Sequence, residues 1–136
     1  MPEVSKTRLD EFLQSYGRQR SRAELQVERE VFGTNAGIAS FTTPAQADTL
    51  ATLLELTPES LLLDVGSGTG WPALYLAERS GCRAVLTDVP LTGVRSAAAT
   101  AASRGLGRRC AVVAASGTRL PLRPRTFDAV VLSDVL

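Results

Sequence analysis

Three alternating glycines follow an acidic residue in this sequence, directly after an apolar segment. Residues 61–65 read Leu-Leu-Leu-Asp-Val, and residues 66–70 read Gly-Ser-Gly-Thr-Gly. A continuous apolar run bounded by glycines is typical of a parallel strand that is covered on both faces. Because glycine has no Cβ, the backbone after this strand can approach a ligand unusually closely. The pattern therefore predicts a ligand site at the end of a buried strand, beside Asp64.

The residues after the glycines predict the start of a helix. Trp71 and Pro72 precede a run with regularly spaced alanines and leucines, and proline is favoured at the first position of a helix. The free N–H groups and the dipole at a helix N-terminus favour negative ligand groups. We expect Trp71 itself to fill the core or an interface rather than to bind the ligand.

A second acidic residue, Asp88, ends the next predicted strand, eighteen residues after Gly70. An acid at that position can accept hydrogen bonds from both hydroxyls of a ribose, which indicates a nucleoside cofactor. The dinucleotide pattern Gly-x-Gly-x-x-Gly would require a glycine where Trp71 stands,. This difference disfavours a nicotinamide or flavin site, and an NAD(P)-dependent oxidoreductase is kept as the weaker alternative.

The composition narrows the possible chemistry. The 136 residues are enough for a single core, and 15 basic against 14 acidic residues leave a net charge of +1, which does not direct the chain to nucleic acid or to an anionic membrane. The chain has no histidine, the commonest general base and metal ligand. Cys82 and Cys110 lack the spacing of metal ligands, so we expect no metal and two reduced, buried thiols.

No stretch is apolar enough to span a bilayer and the N-terminal region has no apolar leader, so we expect a cytoplasmic protein.

Strand and helix signals alternate through the second part of the chain. Charged residues with scattered apolar positions over 4–31 predict one or two surface helices interrupted near Gly17, and Thr43 to Gln46 read as a capping box that starts a helix ending near Leu56,. The pattern then predicts strands over 61–65, 84–88, 110–115 and 127–133 and helices over 72–79 and 92–104. Such alternation is typical of an α/β protein with a parallel sheet, helices on both faces and a ligand site at the carboxyl ends of the strands.

Several side chains outside this pattern have structural interpretations. Tyr16 and Phe41 are expected to hold the N-terminal segments to the sheet, although they could instead close over a ligand. The arginines at 18, 20 and 22 are expected to form a solvated face. Ser133 and Asp134 follow the fourth strand, where a lone acid is expected to be solvated.

The glycine run resembles the first motif of the class I S-adenosylmethionine-dependent methyltransferases, an apolar strand followed by Asp-x-Gly-x-Gly-x-Gly. Asp88 is similar to the second acidic motif of that family. Leu120-Pro121-Leu122 and the segment that begins at Phe127-Asp128 are similar to the segments that introduce its fourth strand. The resemblance implies a doubly wound, mainly parallel α/β sheet of Rossmann-like type and methyl transfer from S-adenosylmethionine to a small-molecule acceptor.

The resemblance also implies the roles of individual residues. The glycines would line the methionine portion of the cofactor, Asp64 would help to orient it, and Asp88 would bind the ribose. Many relatives have Gly-Asp-Ala where this chain has Ala115-Ser116-Gly117, so a neutral hydroxyl would contact the adenine, unless Ser116 only forms a turn. The predicted cofactor-binding residues are Asp64, Gly66, Ser67, Gly68, Gly70, Asp88, Val89, Ser116 and Gly117; no catalytic residue is assigned.

The family sheet has seven strands, whereas this sequence stops after the fourth. We therefore expect residues 1–43 to form a helical cover and loop, and residues 44–136 to form a cofactor-binding α/β domain that is incomplete at its C-terminal side. The apolar fourth strand would lie at an open edge, where self-association is a hazard. The alternative to a methyltransferase is a shortened cofactor-binding remnant without turnover, and a longer natural chain would favour the enzyme.

Overall fold

A computed structural model describes residues 10–11, 14–15, 18–38, 40–133 and 135. The expectations for Tyr16, Gly17 and Asp134 lie outside these residues. The helices are α1 (Arg22–Phe32), α2 (Pro44–Leu53), α3 (Ala73–Ser80) and α4 (Leu91–Ser103); the strands are β1 (Leu61–Val65), β2 (Arg83–Asp88), β3 (Cys110–Ala114) and β4 (Ala129–Val131). No helix among these residues is long and apolar enough to cross a membrane.

The four strands form one parallel sheet in the order β3-β2-β1-β4. The predicted α/β class and parallel sheet are thus confirmed. Strand order reverses at β1, which has β2 on one side and β4 on the other. The connection over 115–128 that leads to β4 contains turns and a bridge between Ser116 and Arg119 but no helix. It therefore adds no helix to either face of the sheet.

Local sequence signals explain most of the element boundaries. Thr43 and Gln46 form the predicted capping box at the start of α2,. Ser21 and Glu24 form a second capping box, which was not predicted, at the start of α1. Helix α3 begins one residue later than expected, with Pro72 at its N-cap. Helix α2 ends at Leu53 rather than near Leu56.

Helices α3 and α4 cover the sheet through small and aliphatic side chains. The fully buried positions include Leu62 and Leu86 of the sheet, Leu76 of α3 and Ala97 of α4. Cys82 and Cys110 are buried free thiols, as predicted. Burial, followed by the neighbouring Cys82, raises the pKa of Cys110 to about 11, which keeps this thiol uncharged in the core.

Candidate functional site

The glycine loop, residues 66–70, joins β1 to α3 at the carboxyl end of the sheet. Its three glycines all have positive φ angles, +75° at Gly66, +54° at Gly68 and +109° at Gly70, where only glycine is free of steric strain. The backbone N–H groups of Gly66 and Ser67 donate to the Thr87 carbonyl over 2.8 and 3.0 Å. The end of β2 therefore holds the first turn of the loop in place.

Two of these glycines are also required by their surroundings. A Cβ at Gly70 would lie 2.5 Å from the Leu74 Cδ1 atom, and a Cβ at Gly66 would lie 2.7 Å from the Val135 Cγ2 atom. Gly117, after β3, is close to the same region, because a Cβ there would lie 2.8 Å from the Val65 Cγ1 atom at the end of β1. The fold thus brings the predicted residues of the 115–117 segment beside the glycine loop.

Asp88 lies directly against the glycine loop. Its Oδ2 atom accepts a hydrogen bond from the Gly68 N–H over 2.6 Å, and its Oδ1 atom accepts one from the Val89 N–H over 2.7 Å. The Ala115 N–H in turn donates to the Asp88 carbonyl over 2.9 Å. The two acids and the glycines that the sequence singled out therefore converge at the carboxyl ends of β1 and β2.

Asp64 is the most unusual group of the site. Its side chain is 1% exposed, and among the residues that the structure describes neither carboxylate oxygen has a hydrogen-bond partner; the same is true of the buried Ser67 Oγ atom. Burial, followed by repulsion from Asp88, raises the pKa of Asp64 to about 7. The Ala73 N–H at the start of α3 opposes this rise but does not reach hydrogen-bonding geometry. Buried polar groups are normally paired, so these atoms indicate a ligand.

Ser116 and Val89 have different surroundings. Val89 is exposed beside Asp88. Ser116 is exposed and forms a turn, with its Oγ atom 2.9 Å from the Thr118 hydroxyl. Ser116 therefore forms a turn, one of the two alternatives that the sequence left open. A contact between Ser116 and an adenine stays a prediction.

A second set of contacts connects the N-terminal loop to the site, and sequence reasoning missed it. The Trp71 indole N–H donates to the Thr42 carbonyl over 2.8 Å, and the Thr42 and Ser133 hydroxyls are 2.6 Å apart. Trp71 is buried and packs on Tyr75 with a ring-centroid distance of 5.2 Å, which confirms it as a core residue. Phe41 is 92% exposed; the expectation that it pins the loop was wrong, because Trp71 and Thr42 make that connection.

Arg20, one of the three arginines expected on a solvated face, is exposed but also makes specific contacts. This side chain pairs with Glu28, which is 4% exposed, and donates to the Ile38 carbonyl over 2.8 Å. The Glu28 carboxylate also accepts from the N–H groups of Gly37 and Ile38. The segment fixed in this way forms one wall of a cavity of about 180 Å³, whose opposite wall includes Gly70 and Trp71 of the site.

A parallel sheet whose first strand leads into a glycine loop beside a carboxylate is typical of α/β domains that bind nucleoside cofactors. The family is given by a sequence comparison, because residues 62–136 match the model of the family described as "Methyltransferase domain". The chain belongs to this methyltransferase-domain family, which confirms the resemblance carried by the glycine run.

The chain is similar to two named methyltransferases and to a cyclase. Over 86 residues, 63% of this chain, the sequence is 34% identical to 24-methylenesterol C-methyltransferase 2 of Oryza sativa subsp. japonica. A SAM-dependent methyltransferase from Geobacter sulfurreducens, solved in complex with S-adenosyl-L-homocysteine, shares the fold over 72% of this chain with a TM-score of 0.64 and 21% identity. The [4+2]-cyclase SpnF matches over 69% of the chain with a TM-score of 0.56 and 35% identity.

The match covers only part of each relative. The chain spans 24% of the sterol methyltransferase, 39% of the Geobacter protein and 35% of the cyclase. The family match over residues 62–136 contains the glycine loop and all of the sheet except Leu61.

Proposed function

We propose that this chain binds S-adenosylmethionine between the glycine loop, Asp64 and Asp88, and that the protein transfers its methyl group to a small-molecule acceptor. The observation that carries the proposal is the convergence of two carboxylates on a loop of positive-φ glycines, with unpartnered, buried oxygens on Asp64 and Ser67. Family membership and the curated sterol methyltransferase support the same chemistry.

The residues present fit this cofactor. Asp88 keeps lone pairs for the ribose hydroxyls while its two oxygens accept from Gly68 and Val89,. The glycine loop would present its backbone to the methionine portion, with the Val135 and Leu74 side chains packed on the Cβ sides of Gly66 and Gly70. Val89 and Ser116 are exposed beside Asp88 and after β3, where the adenine would lie. When bound, the cofactor supplies an activated methyl group on a sulfonium.

Positioning is the main catalytic contribution that this chain can make. Holding an acceptor in line with an already activated methyl group accelerates transfer without a general base, so the lack of histidine does not argue against the proposal. The acceptor is proposed to be a small molecule in view of the sterol-modifying relative. The absence of a nucleic-acid partner rests on the near-zero net charge, and a cytoplasmic location rests on the sequence pattern alone.

Calorimetric titration of the purified chain with S-adenosylhomocysteine tests the binding proposal, with NADH as the competing ligand. We expect S-adenosylhomocysteine to bind and NADH not to bind. The variant Asp88→Ala should weaken S-adenosylhomocysteine binding at least tenfold, since it loses the bonds to the ribose. Glu59→Ala, which removes an exposed carboxylate in the turn before β1, is the control and should bind normally. Binding of NADH alone would replace the proposal with an oxidoreductase.

Methyl transfer needs a separate measurement, because a remnant without turnover would also bind S-adenosylhomocysteine. The chain and its Asp88→Ala variant would be incubated with methyl-labelled S-adenosylmethionine and a panel of small apolar and phenolic acceptors. Label that moves to an acceptor only with the unmodified chain supports an enzyme. Binding without any transfer across the panel would favour the remnant.

A further inference from the structure

Asp64 is buried among apolar neighbours in the sheet. Its register partners are Leu86 on β2 and Val131 on β4, and both are buried. Side chains at matched positions of neighbouring strands lie side by side on one face of a sheet. The carboxylate therefore has hydrocarbon on both sides, and no donor reaches either of its oxygens. An ionised carboxylate in such surroundings is strongly disfavoured, whereas its protonated form is tolerated.

The charges around Asp64 act in the same direction. Among the described residues, Asp88 at the end of β2 is the charged side chain that acts on it, and it repels a second negative charge. Helix α3 offers only the Ala73 N–H, which favours the ionised form to a smaller extent. Strand β4 contributes the uncharged Val131. Among the described residues, burial and the Asp88 charge therefore outweigh the one group that favours a negative charge on Asp64, the Ala73 N–H.

We propose that Asp64 is protonated in the empty protein near and below neutral pH and releases this proton to solvent when a ligand with an organic cation enters the site. The carboxylic acid and the cationic ligand become a carboxylate paired with the cation, and one proton goes to the buffer. This inference rests on the proposed function. It adds that the site selects ligands with a positive charge next to Asp64. The cation is an ammonium or a sulfonium; S-adenosylmethionine carries both, and S-adenosylhomocysteine carries the ammonium alone.

Proton release makes ligand affinity depend on pH with a defined sign. The raised pKa of about 7 means that the acid must lose its proton before the cation is paired, which costs more at lower pH. The dissociation constant of a cationic ligand should therefore fall on the order of tenfold from pH 5.5 to pH 7.5. A neutral ligand such as methylthioadenosine gains nothing from a carboxylate and should bind equally well at both values.

The experiment is calorimetric titration of the whole chain with S-adenosylhomocysteine at pH 6.5, in MES and in Bis-Tris, which differ in ionisation enthalpy. We expect the difference in heat to correspond to most of one proton released per ligand. Methylthioadenosine should release none, and S-adenosylmethionine compared with S-adenosylhomocysteine shows whether the sulfonium adds to the effect. The variant Asp64→Asn should abolish both the proton release and the pH dependence of binding.

The outcomes separate this inference from the proposed function. If S-adenosylhomocysteine fails to bind even at pH 7.5, where Asp64 is ionised most readily, the proposed function is wrong. If it binds with equal affinity at pH 5.5 and 7.5 and releases no proton, the proposed function stands and the role of Asp64 is overturned. If Asp64→Asn does not fold, the comparison of the two ligands in the unmodified chain decides the question, because methylthioadenosine keeps the adenosine and the thioether sulfur and lacks the zwitterionic amino-acid portion that carries the ammonium.

Discussion

At the scale of single residues, the backbone of the glycine loop was the part of the site that sequence could predict. Positive φ angles at Gly66, Gly68 and Gly70 follow from the residue types, because glycine is the residue that adopts such angles without steric cost. The missing partners of Asp64 and Ser67 could not be predicted. They depend on what β2, β4 and α3 place around β1, which is not encoded in the local pattern.

Replacing Gly70 by alanine should destabilise the fold. The new residue would have to adopt a φ of +109°, and its Cβ would lie 2.5 Å from the Leu74 Cδ1 atom. Backbone strain and overpacking together should cost about 2–4 kcal/mol. Gly107→Ala is the matched control, because nothing lies within 4 Å of a Cβ there and its φ is not in the left-handed region. Urea unfolding measures both free energies, and equal stabilities of the two variants would contradict this account.

Asp64 should also make the stability of the empty protein depend on pH. The folded pKa is raised from 3.8 to about 7, so the folded state holds the proton more tightly than the unfolded state. The unfolding free energy therefore falls as pH rises between these values and levels off above 7, by about 3 kcal/mol between pH 5 and pH 8. Urea unfolding at both pH values measures this change.

Asp64→Asn carries no titrating group at this position and should lose that decline. Its stability relative to the unmodified chain should thus improve from pH 5 to pH 8, whatever the cost of burying the amide. A variant that declines by the same amount as the unmodified chain would show that other groups set the pH dependence.

At the scale of elements, the helix starts were predictable and some of the ends were not. The capping box of Thr43 and Gln46 was confirmed, because these residues act locally,. Ser21 and Glu24 have the same spacing and form a second box that was not predicted. Helix α2 ends early because Glu55, rather than a glycine, takes a left-handed φ of +50°, and the Leu56 N–H closes the turn onto the Ala51 carbonyl. A glutamate in the left-handed region cannot be predicted from its residue type.

Helix α1 is tied to the loop after it by one buried carboxylate. Glu28→Ala would leave the N–H groups of Gly37 and Ile38 without their acceptor and Arg20 without its partner. We expect a loss of about 2–4 kcal/mol. Because this loop forms a wall of the cavity beside Gly70, hydrogen exchange over 36–38 should also accelerate.

Glu30→Ala on the same helix is the control for Glu28. Glu30 is exposed and its Oε1 atom accepts from the Gln26 side chain over 2.8 Å, an interaction worth about 0.5 kcal/mol or less. If both variants lose the same stability, Glu28 does not anchor the loop.

At the scale of the whole molecule, the strand order was predictable in outline. The family resemblance implies the order 3-2-1-4 for the first four strands, and the structure has this order. The N-terminal connections were not predictable. Arg20 reaches Ile38 across eighteen positions, from one side of α1 to the other. Thr42 reaches Ser133 across ninety-one positions, because the sheet brings the end of the chain's fourth strand beside the N-terminal loop. The division at residue 43 stays a prediction.

The outer edge of β4 should make the 136-residue chain self-associate. Among the described residues β4 pairs with β1 alone, so its other edge offers unpaired backbone groups. Val130 in the middle of this strand is 49% exposed and Leu132 after it is 63% exposed. A second copy can pair with this edge and cover these side chains. Sedimentation velocity should therefore show a sedimentation coefficient that rises with protein concentration.

A lysine at the same edge should suppress this association, because charged side chains on an edge strand oppose pairing with another copy. Val130→Lys is the test, and Val27→Lys is its control, since Val27 is 58% exposed on α1, away from the sheet. Association that is lost in the first variant and kept in the second locates the contact at β4. If both variants associate as the unmodified chain does, a surface other than the β4 edge joins the copies. If the unmodified chain stays monomeric at every concentration, the predicted self-association through β4 is wrong.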